Sequence, residues 1–263
     1  MSASTVHVET RGPIALVRLN RPESSNTINL QTAMDLLAAA MTCSRNSNVR
    51  AVVLTGAGKN FCFGGDLRAI ASEGADGGYL RELTSYLHSA ISHFVRMDPP
   101  VIAAVNGTAA GAGVGLAAMA DLALCGASSK FNLAYTGVGL TPDGGTSFLL
   151  PRLIGARRTM ELLLLNRSLP AAHALEWGLV NEVVEDDHLL DRAMEVAVQL
   201  ADGATGAFGL TKRLVAHSVG ALESHMTLES ETIALQASSV DGVEGIGAFL
   251  EKRKPAFSGN GTR

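Results

Sequence analysis

One carboxylate, Asp143, lies between a proline and two glycines in the stretch GLTPDGGTSFLLPRLIG, residues 139–155. A carboxylate in this position can accept hydrogen bonds from the free N–H groups at the start of a helix. It can also move a proton to and from a substrate, as a general acid and base. Because Pro-Asp-Gly is typical of turns, the local pattern by itself favours the helix cap.

Two glycine-rich stretches could supply the partners that acid–base chemistry requires. Gly64-Gly65-Asp66 separates a predicted strand from a predicted helix start, and VNGTAAGAGVGL, residues 105–116, opens a helix of small residues. Backbone N–H groups point outward at such junctions, and glycine lets a ligand approach them. Both stretches are also compatible with tight turns or close helix packing. Two outward N–H groups and one acid together can stabilise an enolate and move its proton.

Composition and motifs disfavour several other classes of function. The second glycine stretch is not the G-x-G-x-x-G dinucleotide fingerprint, and TGAGKN, residues 55–60, lacks the frame of a phosphate-binding loop. Cys43, Cys62 and Cys125 have no metal-binding spacing, so we expect no metal site and no disulfide framework, and a reducing cytoplasm. The net charge of −4 disfavours nucleic-acid binding. No signal peptide or membrane span is expected.

The surrounding pattern predicts an α/β architecture that would position these groups. With 263 residues, 47% of them hydrophobic, the chain can bury a large core. TVHVET and PIALVRL indicate a hairpin, and the apolar runs AVVLTGAG, VIAAVNG and DLALCG indicate strands buried on both faces. Helical patterns over about 79–97 and 112–120 lie between those runs. Such alternation is typical of βαβ units.

The pattern changes after residue 151. Most of the remaining segments are amphipathic helices, and LVNEVV, residues 179–184, indicates one more strand. We therefore predict an α/β core over residues 1–200 and a helical C-terminal module over residues 201–263. Segment 71–78, ASEGADGG, is predicted to form a mobile loop beside a site.

Six segments resemble the enoyl-CoA hydratase/isomerase (crotonase) superfamily. They follow the family's order and spacing along nearly the whole chain: LNRPESSNTIN, LTGAGKNFCFGGDL, PVIAAVNGTAAGAGVGLAAMADLAL, FNLAYTGVGLTPDGGTSFLLPRLIG, AAHALEWGLVNEVV and FLEKRKPAF. The resemblance implies a spiral core of repeated ββα units followed by a C-terminal helical trimerisation region. It also implies a homotrimer or a dimer of trimers. The implied substrate is a coenzyme A thioester, with no metal or other cofactor.

The resemblance also implies roles for individual residues. Gly65 and Ala112 match the two positions whose N–H groups form the oxyanion hole, although the second is usually glycine in this family. Phe257 matches a region that often closes part of the acyl or adenine pocket, and Tyr135 is expected to contact the substrate. Seven further residues match the segments that line the CoA and pantetheine channel: Ser24, Ser25, Thr27, Cys62, Gly64, Asp66 and Leu67.

The chain departs from the hydratase pattern at both of its acids. Hydratases of this family carry two glutamates that activate water, and their positions hold Gly115 and Tyr135 here. Asp143 lies eight positions beyond Tyr135. That place resembles the aspartate of dienoyl-CoA isomerases, of ring-opening 1,2-epoxyphenylacetyl-CoA isomerases and of 4-chlorobenzoyl-CoA dehalogenase. The resemblance therefore favours a catalytic Asp143 over a purely structural cap.

One acid suits isomerisation better than hydration, because hydration also needs a bound and activated water. The sequence thus predicts an acyl-CoA isomerase that shifts a double bond, or opens an epoxide ring, with Asp143 as the acid and base. Fatty-acid metabolism and phenylacetate degradation are the matching processes. The alternatives are an enoyl-CoA hydratase, a non-catalytic CoA-thioester-binding homologue and, less favoured, an aryl-CoA dehalogenase. The last would need a histidine base, and His88 and His93 are expected to be structural or solvated.

Overall fold

A computed structural model of the chain describes residues 4–73, 77–215 and 219–258. These ranges contain nine strands, eleven α-helices and three short 3-10 helices. The strands are β1 (Val6–Arg11), β2 (Ile14–Leu19), β3 (Ala51–Gly56), β4 (Val101–Val105), β5 (Thr108–Ala110), β6 (Leu122–Gly126), β7 (Lys130–Asn132), β8 (Leu169–Pro170) and β9 (Glu182–Val184). The helices are α1 (Leu30–Arg45), α2 (Leu67–Ser72), α3 (Gly78–Arg96), α4 (Ala112–Ala118), α5 (Thr146–Leu153), α6 (Ala156–Leu165), α7 (Ala171–Trp177), α8 (Leu189–Ala201), α9 (Thr205–Val215), α10 (Val219–Ala237) and α11 (Val240–Leu250).

The strands form two sheets. The larger sheet has the order β1-β2-β3-β4-β6-β9, and the smaller has the order β5-β7-β8. The predicted hairpin is present, with β1 antiparallel to β2, and all the other pairs of the larger sheet are parallel. Parallel strands bring their carboxyl ends to one edge of a sheet. The segments that follow β3 and β4 therefore leave the sheet side by side.

The central strands are apolar throughout because both of their faces are covered. In β3, Val52 and Leu54 belong to the main apolar core, whereas Ala51 and Val53 belong to a second, smaller core on the opposite face. Helix α8 covers the smaller core with four small or aliphatic side chains at helical spacing: Leu189, Ala193, Ala197 and Ala201. A sheet sandwiched in this way cannot show the alternation of a half-exposed strand.

The C-terminal helices contribute to the main core. The buried side chains of α10 lie along one face of the helix: Leu222, Met226, Glu229, Ile233, Ala234 and Ala237. Its apolar members share one cluster with the core residues of α1, α3 and α4. The mixed α/β architecture with C-terminal helices is thus confirmed. The boundary at residue 200 stays a prediction.

Both ends of the segment predicted as a loop, residues 71–78, belong to helices. Residues up to 72 belong to α2 and residue 78 begins α3, while residues 74–76 lie outside the described part of the chain.

Candidate active site

The carboxylate of Asp143 does not cap the helix that follows it. Helix α5 begins at Thr146, and Gly145 occupies the cap position. It is the backbone carbonyl of Asp143 that accepts hydrogen bonds from Thr146, from its N–H at 3.2 Å and its hydroxyl at 2.8 Å. The side chain of Asp143 is only 5% exposed, and its Oδ1 accepts a hydrogen bond from the Tyr135 hydroxyl at 2.7 Å. The interpretation of this side chain as a helix cap is therefore wrong.

Side chains from α3 and α10 accept the hydrogen bonds of the backbone N–H groups at the start of α5. His88 of α3 accepts the N–H of Gly144 at its Nε2 atom, at 3.2 Å. Glu229 of α10 accepts the N–H of Gly145 at 2.7 Å and that of Ser147 at 3.1 Å, together with the Ser147 hydroxyl. Because these groups satisfy the start of α5, the carboxylate of Asp143 is left for other chemistry.

Glu229 was not identified from the sequence, although a signal exists. It lies on the apolar stripe of α10, three residues after Met226 and four before Ile233. A carboxylate on a buried helical face needs hydrogen-bonding partners, since burying an unpaired charge is very unfavourable. Its partners come from a segment more than 80 residues away, so they could not be read from the chain.

The two predicted oxyanion donors are held close together. Gly65 forms an isolated parallel bridge with Ile28, and Ala112 is the first residue of α4. Among the described residues, neither the N–H of Gly65 nor that of Ala112 has a hydrogen-bond partner. Between them lies Gly64, with φ of +76°, where an added Cβ would stand 3.2 Å from the nitrogen of Ala112. Glycine at this position permits the close approach of the two segments.

Asp143 reaches this pair of N–H groups through its neighbour. A Cβ built at Gly144 would lie 3.3 Å from the Cβ of Ala112. The Tyr135 ring is also near the oxyanion segment, since its Cζ atom would lie 3.8 Å from a Cβ at Gly111. One acid, one phenol and two free N–H groups thus meet at the start of α4.

At position 115, where the hydratase pattern has a glutamate, the backbone of Gly144 leaves no room for a side chain. A Cβ at Gly115 would lie 2.3 Å from the carbonyl oxygen of Gly144, far inside van der Waals contact. The loop that carries Asp143 therefore occupies the room that a longer side chain at position 115 would need.

Burial sets the protonation of the site. It raises the pKa of Asp143 from its ordinary value of 3.8 to about 7; the hydrogen bond from Tyr135 opposes this rise and the charge of Glu229 adds to it. Burial also lowers the pKa of His88 to about 4, although a hydrogen bond to the Met226 backbone opposes the change. Burial raises the pKa of the Cys62 thiol to about 12. Near neutral pH the site therefore holds a carboxyl poised to gain or lose a proton, beside a neutral imidazole and thiol.

Hydrogen bonds connect the two segments that are predicted to line the CoA channel. Asp66 caps α2 through the N–H of Ala69, and it also accepts the hydroxyl of Thr27 and one guanidinium nitrogen of Arg21, at 3.0 Å. The same guanidinium donates to the carbonyl of Thr27. Arg21, which the sequence did not single out, thus joins the two segments that carry Thr27 and Asp66.

The other predicted channel residues differ in exposure. Ser24 ends a short turn and Ser25, with φ of +55°, accepts the side-chain N–H of Asn60 at 3.2 Å. Leu67 begins α2 and is half-buried, whereas Cys62 is fully buried, so its thiol is not offered to a ligand. Phe257 is 43% exposed and its ring lies near Gly139, on the loop before Asp143.

An apolar cavity adjoins the oxyanion segment. It has a volume of about 200 Å³ and lies between α2, the start of α3, α10 and α11, with these residues around it: Ile70, Ala71, Gly77, Tyr79, Leu80, Ala237, Val243, Ile246 and Gly247. The Cδ1 atom of Ile70 would lie 3.4 Å from a Cβ at Gly65. Ile70 therefore separates the cavity from the first oxyanion donor.

The described residues contain neither a cluster of metal-binding side chains nor a helix that could span a membrane. Within the described ranges, no group of three or more histidine, cysteine, aspartate or glutamate side chains could hold a metal ion. The helices in the same ranges are also too short or too polar to span a bilayer.

Known proteins resemble the chain along nearly its whole length. The enoyl-CoA hydratase/isomerase family profile matches residues 9–260. A 1,2-epoxyphenylacetyl-CoA isomerase of Escherichia coli (strain K12) is 38% identical over 96% of this chain and 97% of its own. A 4-chlorobenzoyl coenzyme A dehalogenase of Arthrobacter sp is 34% identical over 96% of this chain and 94% of its own. The crystal structure of an enoyl-CoA hydratase from Mycobacterium avium subsp. paratuberculosis K-10 matches with a TM-score of 0.88 at 30% sequence identity. The match covers 98% of this chain and 100% of the hydratase chain.

The fold and the site define an enzyme of the crotonase superfamily that acts on coenzyme A thioesters. Within that class, the chain belongs to the enoyl-CoA hydratase/isomerase family. The resemblance noted in the sequence is thereby confirmed. The relatives' names divide among isomerase, dehalogenase and hydratase.

Proposed function

We propose that the chain is an acyl-CoA isomerase in which Asp143 alone carries the transferred proton. The thioester oxygen accepts the N–H groups of Gly65 and Ala112, so that negative charge develops where two donors already point. Asp143 removes a proton from one carbon and returns it to another, which shifts the double bond without any gain of water. The observation that carries this proposal is the buried carboxyl of Asp143, with a pKa of about 7, beside two free N–H groups.

Hydration is disfavoured by the same geometry. Gly115 has no room for a glutamate and Tyr135 has no carboxylate, while both oxygens of Glu229 already accept hydrogen bonds from the start of α5. No second carboxylate among the described residues therefore remains to hold a water molecule at this site. Dehalogenation is disfavoured as well, because the Nε2 atom of His88 is engaged by the N–H of Gly144 rather than free to act as a base.

The acyl group is proposed to be apolar. The cavity behind Ile70 is lined by aliphatic and aromatic side chains, without a charged group among its residues. An aliphatic or aryl tail would be stabilised there by leaving water. An epoxide ring on such an acyl group is the second candidate substrate, since the same carboxyl can open it by proton transfer. The name of the E. coli relative supports that candidate.

The test compares the wild-type protein with Asp143→Asn on 3-enoyl-CoA and 2-enoyl-CoA, followed by absorbance and mass. We expect a double-bond shift at constant mass in the wild type. We expect loss of turnover by at least about 100-fold in the variant, a typical contribution of a general acid or base. CoA-thioester binding should remain in both proteins. A gain of 18 mass units, about one water, or full activity of the variant would refute the single-acid mechanism.

A mass-neutral ring opening of an epoxyacyl-CoA, with no shift of simple enoyl-CoAs, would assign the second candidate. No turnover of any of these thioesters by the wild type, with binding retained, would instead support a non-catalytic CoA-thioester-binding protein.

A further inference from the structure

Helix α10 places one face directly on the start of α5. A Cβ at Gly145 would lie 3.3 Å from the Cδ1 atom of Leu222 and 3.7 Å from the sulfur of Met226. Glu229 is the next residue of that face and is only 4% exposed. Its buried carboxylate accepts the N–H of Gly145, two residues beyond Asp143, with the apolar side chains of α10 beside it.

We propose that Glu229 is a positioning residue for Asp143, contributed by the C-terminal helices. It fixes the backbone that follows Asp143 and places a second carboxylate near the acid that moves the proton. This inference rests on the isomerase function proposed above, in which Asp143 is the catalytic residue.

The positioning follows from hydrogen bonds on both sides of Asp143. On one side, Tyr135 donates to Oδ1 of the carboxyl at 2.7 Å. On the other, His88 and Glu229 hold the N–H groups of Gly144 and Gly145. The carboxyl of Asp143 also accepts a hydrogen bond from its own backbone N–H. The segment that carries Asp143 is therefore held by groups from α3, from α10 and from the loop before Asp143.

The charge of Glu229 follows from its partners. The N–H groups of Gly145 and Ser147 and the hydroxyl of Ser147 all donate to its two oxygens. The Nε2 atom of His225, on the same helix, lies 3.8 Å from Oε1 of Glu229 and forms a hydrogen bond with the Ser147 hydroxyl. Such a set of donors stabilises the anion, and so does the positive end of the α5 dipole. Burial raises the pKa of Glu229, and these hydrogen bonds oppose that rise.

The other titratable groups that face Asp143 are neutral near pH 7. His88 from α3 accepts a hydrogen bond through an unprotonated Nε2, Tyr135 from the preceding loop donates its proton, and the Cys62 thiol is buried. Glu229 from α10 is therefore the charged neighbour that makes ionisation of Asp143 less favourable. A carboxyl that titrates near neutral pH can both take and return a proton efficiently.

The experiment separates the charge of Glu229 from its geometry. In Glu229→Gln the negative charge is lost while one acceptor oxygen remains, so the ascending limb of the kcat/KM pH profile should move to lower pH. In Glu229→Asp the charge remains but the carboxylate is withdrawn by one methylene. Its kcat should then fall by about 10- to 100-fold with KM little changed, as expected for a misplaced catalytic group.

Two comparison variants calibrate the profile. Tyr135→Phe removes the hydrogen bond that stabilises ionised Asp143, so its limb should move to higher pH, opposite to that of Glu229→Gln. Glu231→Gln makes the same charge change on the exposed side of α10 and should keep the wild-type profile. A wild-type profile in Glu229→Gln together with a wild-type kcat in Glu229→Asp would overturn the proposal.

A second readout does not depend on turnover. The carboxyl ¹³C resonance of Asp143, assigned by its loss in Asp143→Asn, reports its titration in the ligand-free protein. It should titrate at lower pH in Glu229→Gln than in the wild type. An unchanged titration would refute the effect of the Glu229 charge on Asp143 even if the isomerase assay succeeds. A shifted titration in a protein without isomerase activity would refute the proposed function and leave the coupling of the two carboxyls intact.

Discussion

At the scale of single residues, the side chains packed around Asp143 make it different from an ordinary turn aspartate. Asp143 has the local sequence of a helix cap, but the cap groups are taken by Glu229 and His88. The aspartate is left buried, with one hydrogen bond from Tyr135 and a pKa of about 7. Its chemistry therefore depends on Tyr135, eight residues earlier, and on two side chains that are distant in sequence.

The raised pKa of Asp143 predicts a pH-dependent stability. The folded chain binds this proton more tightly than the unfolded chain, whose aspartate titrates near 3.8. The stabilisation by the protonated carboxyl is fully present below pH 3.8 and is lost as the pH rises towards about 7. At pH 8 we therefore expect Asp143→Asn to be more stable than the wild type, by on the order of 4 kcal/mol at most.

Urea unfolding of both proteins measures this difference. A pH range from about 5 to about 8.5 covers the upper part of the interval between the unfolded and folded pKa values of Asp143, and the pH region above it. The difference should shrink as the pH falls. His88, whose lowered pKa acts with the opposite sign below pH 6.5, is present in both proteins and cancels. A difference that is independent of pH would show that Asp143 is not buried with a raised pKa.

At the scale of elements, the site depends on close approach of loops that leave neighbouring parallel strands. Gly65 follows β3, Ala112 follows β4 and the short strand β5, and the loop that carries Asp143 packs on the start of α4. Small residues are needed where these segments touch, and Gly115 is the position with least room on the side of Asp143. The same contact that shapes the active site thus excludes the side chain a hydratase would require there.

The replacement Gly115→Ala tests this contact. Its Cβ would stand 2.3 Å from the Gly144 carbonyl oxygen, so the loop must shift or the protein must lose stability, by about 1–3 kcal/mol for overpacking. Isomerase activity should fall with it, because the displaced segment carries Asp143. Thermal unfolding and the isomerase assay measure the two effects.

The matched control is Gly206→Ala in α9, where nothing lies within 4 Å of the added Cβ. We expect it to be neutral or slightly stabilising, since alanine favours helices over glycine. Equal stability of the two variants would contradict the crowded contact at position 115.

At the scale of the whole molecule, the C-terminal helices are tied to the α/β core by polar as well as apolar contacts. Lys212 of α9 is nearly buried and pairs with Asp121 at 2.7 Å, ahead of β6. Its ammonium also donates to the carbonyl of Pro99 at 3.1 Å, before β4. Together with the α10 face that carries Glu229, this pair connects the last third of the chain to the strands that position the site.

Removing the ammonium should weaken the whole fold. We expect Lys212→Met to lower the free energy of unfolding by about 3–5 kcal/mol, because the partly buried Asp121 is left without its cation. Urea unfolding measures the loss, with Lys59→Met, at an exposed lysine, as the control. A loss equal to that of the control would mean that the pair adds nothing to the attachment of α9.

The sequence by itself determined the family, the six strands of the larger sheet and the alternation of strands with helices, but not the three strands of the smaller sheet. Periodicity and turn chemistry are local, so the hairpin, the buried strands and the small-residue helix α4 could be predicted from short stretches. The tertiary structure alone decided that Asp143 is not a cap, that Glu229 of α10 takes that place, and that Gly144 fills the space beside Gly115. Those facts depend on distances between segments far apart in the chain, and burial, which sets the pKa of Asp143, exists only once those segments have packed together.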